Sequence, residues 1–216
     1  MPPERRTIPI FPLNMVLFPG SSIPIQIFEE RYKLMLRYCR DNDLPFGVVL
    51  IKSGAEVGEP AIPYSIGTIA HIIQITPVDG GRIFIAVTGG ERFEIKAIEQ
   101  YRPYMTAEIE PLVEGDGMED STLDLDGVRA SINEYSRLYE GLRGGWVNQA
   151  YMPSNLSAMS YAVADILQVD LPAKQNLLEQ PSAAKRLETE WELLKMHSAA
   201  LKRRVADELR GRFSMQ

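Results

Sequence analysis

Thirteen consecutive residues, Glu114 to Asp126, hold six acids and no base, and the spacing of apolar residues changes across them. Before this run, apolar residues come in short β-branched stretches separated by turn formers; after it, they recur every three to four positions. Strands followed by helices define an α+β chain. The expected division is a strand-rich part over 1–113, an acidic linker over 114–121 and a helical part over 122–216. Gly115 and Gly117 within the run suit a solvated connector. Elsewhere acids and bases nearly balance, so the run carries the net charge of −6.

Seven strand segments are expected: Thr7–Phe11, Ile23–Ile27, Phe46–Lys52, Ile66–Thr76, Arg82–Thr88, Arg92–Ile98 and Tyr104–Pro111. Pro77-Val-Asp-Gly-Gly81 separates two of them and predicts a hairpin, and Gly89-Gly90 is read as a second turn. One helix, Glu29–Arg40, interrupts the strands, with Phe28, Tyr32, Met35, Leu36 and Cys39 on its apolar face. A sheet of this kind hides its edges by curling into a barrel. The second part predicts helices at Leu123–Gly141, Ser154–Val169, Pro172–Glu179 and Ser182–Phe213, with Ser121, Ser154 and Ser182 as N-caps. The last helix carries a stripe of Leu187, Trp191, Leu194, Leu201, Val205 and Leu209, broken by Ser198. Its length makes it a candidate for pairing with a second copy as a homodimer.

Catalytic machinery is not expected. The dipeptide Gly-Lys never occurs, which removes a phosphate-cradling Walker loop. Placing Gly127 as the loop glycine of a calcium site puts Thr122 and Asn133 where acids are needed. The single cysteine and two histidines cannot build a zinc cage or a disulfide framework. His71 lies in an apolar strand and is read as a hydrogen-bonded structural imidazole; His197 is read as exposed, and Cys39 as core. No metal, cofactor or enzymatic activity is expected. Two uncharged runs contain proline and polar residues, so no membrane span is expected, and with no leader-like stretch before Pro9 and Pro12 the expected location is the cytoplasm. The C-terminal bases Lys202, Arg203, Arg204, Arg210 and Arg212 are interrupted by Asp207 and Glu208 and read as a solvated face, which argues against nucleic acid.

Ile10-Phe-Pro-Leu13, Val16-Leu-Phe-Pro-Gly20, Ile23-Pro-Ile25 and Ile27-Phe-Glu-Glu-Arg-Tyr32 resemble the opening of the Lon protease N-terminal domain. So do Phe46-Gly-Val-Val-Leu-Ile51, Glu56-Val-Gly58, Ile66-Gly-Thr-Ile-Ala70, Asp79-Gly-Gly-Arg82 and Gly90-Glu-Arg-Phe93. Lys174-Gln-Asn-Leu-Leu-Glu179 and Arg186-Leu187 continue the likeness, which covers roughly Thr7 to Leu194. It implies a PUA-like β pseudobarrel followed by a helical bundle. It also implies recognition of unfolded or damaged proteins, alone or beside a protease or chaperone. The family's ATPase and peptidase modules have no counterpart here, so the expectation is a stand-alone, non-enzymatic binding module. Related barrels handle RNA, which makes RNA binding the alternative.

The apolar loop residues Met15, Val16, Leu17 and Phe18, with Ile62 and Tyr64 in the connection from Gly58 to Ile66, are the candidate protein-binding residues. The competing reading packs them under the barrel. Gly20, Gly47 and Gly67 are expected at bends or close backbone approaches, and Arg31 and Glu29 or Glu30 are expected to pair with strand-end groups at little gain in stability.

Overall fold

The structure, a computed structural model, describes residues 4–58, 61–115, 123–143, 145 and 152–213. The strands are β1 (Arg6–Leu13), β2 (Ser22–Ile27), β3 (Phe46–Ser53), β4 (Ile62–Pro63), β5 (Ile66–Val78), β6 (Arg82–Gln100) and β7 (Met105–Pro111). The helices are α1 (Glu30–Asp41), α2 (Leu125–Leu142), α3 (Leu156–Ile166), α4 (Leu171–Glu179) and α5 (Ala183–Phe213). The α+β class is as expected. The chain forms two compact units, residues 1–114 with 168–179, and residues 115–167 with 180–216. Thus α4, assigned from sequence to the helical part, belongs to the unit built on the sheet. Residues 116–122 of the acidic run, Ser121 among them, lie outside the described residues.

In the first unit β1 pairs antiparallel with β7 and parallel with β3, while β7–β6, β6–β5 and β5–β3 complete a closed ring of five strands. β2 adds to β6 beyond the ring and β4 adds to β3. β1 is buried on both faces. Ile8 and Ile10 join Val49, Ile69, Phe93 and Ile109 in one cluster, while Phe11 and Leu13 join Phe46, Val48 and α1 in another. That two-sided burial explains why its sequence is a continuous apolar run instead of an alternating one. The α1 residues Tyr32, Met35, Leu36 and Cys39 pack into the second cluster, each burial stabilising by about 1.5–3 kcal/mol relative to exposure. Phe28, expected on that face, precedes the helix and is 50% exposed.

Asp79-Gly80-Gly81 turns β5 into β6, with both glycines at positive φ. Gly89-Gly90, however, makes no turn: β6 runs unbroken through it. Thr68 pairs with Arg92 but Ala70 pairs with Gly89, so Gly90 and Glu91 together oppose Ile69 in a bulge. A side chain on Gly89 would collide with the Phe18 carbonyl, and one on Gly90 with the His71 ring. The glycine pair is there for close approach, which strand–turn patterning cannot distinguish from a turn.

The Gly90-Glu-Arg-Phe93 segment then holds α4. Arg92, 4% exposed, donates to the Leu178 carbonyl at 2.6 Å in the last turn of α4 and lies 3.9 Å from Glu114. Gln175 donates to the Ile66 carbonyl at 3.0 Å. A buried cation therefore satisfies a helix C-terminal carbonyl and complements the helix dipole.

In the second unit α2 and α3 pack on α5. Asp124 caps α2 through the Gly127 amide, and Asn155 rather than Ser154 caps α3 through the Ala158 amide. Ser182 caps α5, accepting from the Lys185 amide at 3.3 Å. Leu187, Leu194 and Ser198 are buried on α5; Trp191, Leu201 and Val205 are half-buried. Arg186 is fully buried, donating to Ser160 Oγ at 2.7 Å with its guanidinium 3.8 Å from the Tyr161 ring centroid. Among the described residues no helix is long and apolar enough to cross a membrane, and no group of three acidic, cysteine or histidine side chains is gathered for a metal.

Candidate functional site: an apolar groove beside strand β2

Two motif segments that are 24 residues or more apart in sequence converge on one groove. The Gly58 amide donates to Glu29 Oε2 at 3.4 Å, and Arg31 donates to the Glu56 carbonyl at 3.3 Å. Arg31 also pairs with Glu29 at 3.1 Å and lies 4.5 Å from the Tyr32 ring centroid. Glu29 and Arg31 thus tie the loop after β3 to the start of α1, and between loop, helix and β2 lies a groove of about 340 Å³. Its floor is Phe11, Leu13, Ile25, Ile27 and Tyr32, all buried; Phe28 and Val57 stand at its sides, 50% and 53% exposed. Met15, Pro24 and Gln26 complete one wall, and Glu29 and Glu56 supply its carboxylates. An apolar floor with a few polar groups at the mouth is the ordinary form of a ligand site.

Of the six residues expected to bind protein, Met15 alone lines this groove. Val16, Leu17 and Phe18 are core, at 8%, 1% and 0% exposure. The bare Gly89 lets their backbone lie directly on β6: Gly20 donates to the Gly89 carbonyl at 2.8 Å, and Thr68 Oγ1 to the Leu17 carbonyl at 2.6 Å. Apolar residues ahead of a Pro-Gly pair look like a loop in sequence, but here that loop packs down. Ile62 is 62% exposed on β4 and Tyr64 is half-buried beside Lys52, both outside the groove lining. Phe28 and Val57 were missed as site residues; their presence inside the Ile27–Tyr32 and Glu56–Gly58 motifs was the available signal.

Burial pushes the Tyr32 phenol up from 10.0 to about 12, against the lowering pull of Arg31, and pushes the Cys39 thiol, in the same core cluster, up from 9.0 to about 11. Both therefore stay neutral at physiological pH. Each holds its proton more tightly folded than unfolded, so this stabilisation is complete below pH 9 and is lost as pH rises through the folded values. Urea midpoints should hold steady from pH 7 to 8.5, then fall by on the order of 3 kcal/mol of stability by pH 11. An unchanged midpoint at pH 11 would contradict the burial assigned to these two groups. His71, expected as a hydrogen-bonded structural imidazole, is exposed on β5 with its ring against Gly90. His197 is half-buried, while Cys39 is core as read.

A small closed barrel with a helical unit and an apolar, open groove defines a binding module. The comparisons with known proteins agree. Residues 7–196 match the family of the ATP-dependent protease La (LON) substrate-binding domain, and the chain belongs to that family. "Lon protease 2" of Syntrophobacter fumaroxidans is 26% identical over 98% of this chain, and "Lon protease" of Porphyromonas gingivalis is 32% identical over 50% of it. The chain spans 27% and 13% of those proteins' lengths. Among solved structures, a Lon N-terminal domain protein from Xanthomonas campestris superposes with a TM-score of 0.65 at 24% identity, covering 85% of this chain and 96% of that one. The N-terminal domain of the Mycobacterium avium complex Lon protease gives 0.61 at 19% identity, covering 89% of this chain and 100% of that one. These two likenesses concern the fold.

Proposed function

We propose that this chain is a non-enzymatic recognition module that captures exposed apolar segments of unfolded or damaged proteins, acting as an adaptor in cytoplasmic protein quality control. The observation that carries the reading is the groove itself. In a chain of the substrate-binding-domain family, four of the family-like motifs, Ile10–Leu13, Ile23–Ile25, Ile27–Tyr32 and Glu56–Gly58, come together around an apolar groove open to solvent. Apolar burial there supplies affinity without demanding a particular sequence.

A permanently unfolded protein should bind the chain while its folded form does not. Replacing the half-exposed Phe28 by serine should weaken that binding about tenfold and leave the thermal midpoint nearly unchanged. Equal binding of the two forms, or none, would remove the proposed function. Retention on structured RNA at low salt, lost as salt rises, would favour the alternative.

A further inference from the structure

The phase of the β2 ladder leaves a row of main-chain groups facing away from the sheet, beside the groove. β2 pairs with β6 from Ser22↔Thr88 to Ile27↔Ile83, and the Gly89 amide donates to the Ser21 carbonyl at 2.9 Å. That bond flanks Ser22↔Thr88 and so marks it as a non-hydrogen-bonded pair. The close approach of Ser22 Oγ and Thr88 Oγ1, 3.0 Å, agrees. Alternation then makes Ile23, Ile25 and Ile27 the residues that exchange bonds with β6. Ser22, Pro24 and Gln26 turn their backbone outward, where no strand pairs with β2 among the described residues. Pro24 sits at one of the positions where a missing N–H costs no ladder bond. The outward edge therefore offers three carbonyls and two amides.

Residues 24–27 of this strand and Phe28 just after it line the groove, so edge and apolar floor adjoin. The carboxylates at the mouth are unequally matched. Glu29 is paired with Arg31, whereas Glu56 accepts from the neutral Asn14 amide at 3.0 Å and has no lysine or arginine at ion-pair distance among the described residues. We infer that the occupant enters as an added β-strand on the free edge of β2: an extended segment with apolar residues at every second position and a lysine or arginine at one end, set against Glu56. The apolar residues face the floor while alternate amides bond to the β2 carbonyls. This rests on the groove being the binding site proposed above and specifies what it selects.

The test uses the full chain and a ten-residue peptide of alternating leucine and threonine ending in lysine, with affinity followed by fluorescence anisotropy. Two further peptides carry backbone N-methyl groups in one alternation phase or the other. Strand addition predicts that one phase weakens binding about tenfold or more while the other binds like the parent, since only alternate amides face β2. Equal affinity of the two methylated peptides would overturn strand addition while leaving the groove as a site; absent binding of the parent would remove the groove reading, and strand addition with it. Gln26→Pro should weaken the parent several-fold with an unchanged thermal midpoint, because the amide it deletes faces outward. Undiminished affinity in that folded variant would also count against the strand. Changing the terminal lysine to glutamate should weaken binding, and Glu56→Gln should abolish the difference; persistence of the difference would overturn the assignment to Glu56.

Discussion

Gly67→Ala is expected to lower stability by about 3–5 kcal/mol, or roughly 10 °C in thermal midpoint for a chain of this length. A Cβ on Gly67 would collide with the Val48 carbonyl oxygen, and would stand 2.5 Å from Val49 Cγ1 and 2.9 Å from Phe93 Cζ. Phe93 can turn only within a packed interior, and Val48 is held because β3 pairs with β5 on one side and with β1 on the other. An open sheet would relieve the clash by splaying its strands; a closed ring must distort as a whole. Gly141→Ala is the control, since nothing lies within 4 Å of the new methyl in α2, and it should be neutral or stabilise by about 0.5–1 kcal/mol. Equal melting curves for the two variants would contradict the close packing at Gly67.

Arg92→Met should cost about 3 kcal/mol and act locally. Methionine fills much of the same space but leaves the Leu178 carbonyl without its 2.6 Å charged donor, and unpaired buried polar groups carry the desolvation penalty in full. Amide exchange should quicken across α4 while the β1, β3 and β7 ladders keep their protection. Arg92→Lys should recover part of the loss, since an ammonium can reach the carbonyl but cannot reproduce the planar fork toward Glu114. Uniform destabilisation of sheet and α4 alike would contradict the docking role.

Strand and helix positions were legible in the sequence because the apolar period is a local property: Ile83, Ile85 and Val87 alternate, and Tyr32, Met35, Leu36 and Cys39 recur at helical spacing. Close approaches were not legible, because they depend on what lies across from a residue. Gly89-Gly90 looked like a turn until Phe18 and His71 were seen against it. Val16, Leu17 and Phe18 looked like a binding loop for the same reason. The placement of α4 escaped because Gln175 and Arg92, which fix it to the sheet, are polar side chains that periodicity ignores. The groove was half legible: its motifs were recognised, but nothing in linear order brings Glu56–Gly58 to Glu29.

The first unit is closed by contacts between residues far apart in the chain. Arg5 bonds to Glu110, 105 positions away, and Gln175 reaches Ile66 across 109. A ribosome adding about 5–20 residues per second would emit β1 on the order of ten seconds before β7 exists to receive it. Throughout that interval a strand greasy on both faces lacks its β7 neighbour, and until β3 emerges it has no partner strand at all. During its own birth this chain presents the same kind of segment that it is proposed to recognise in others.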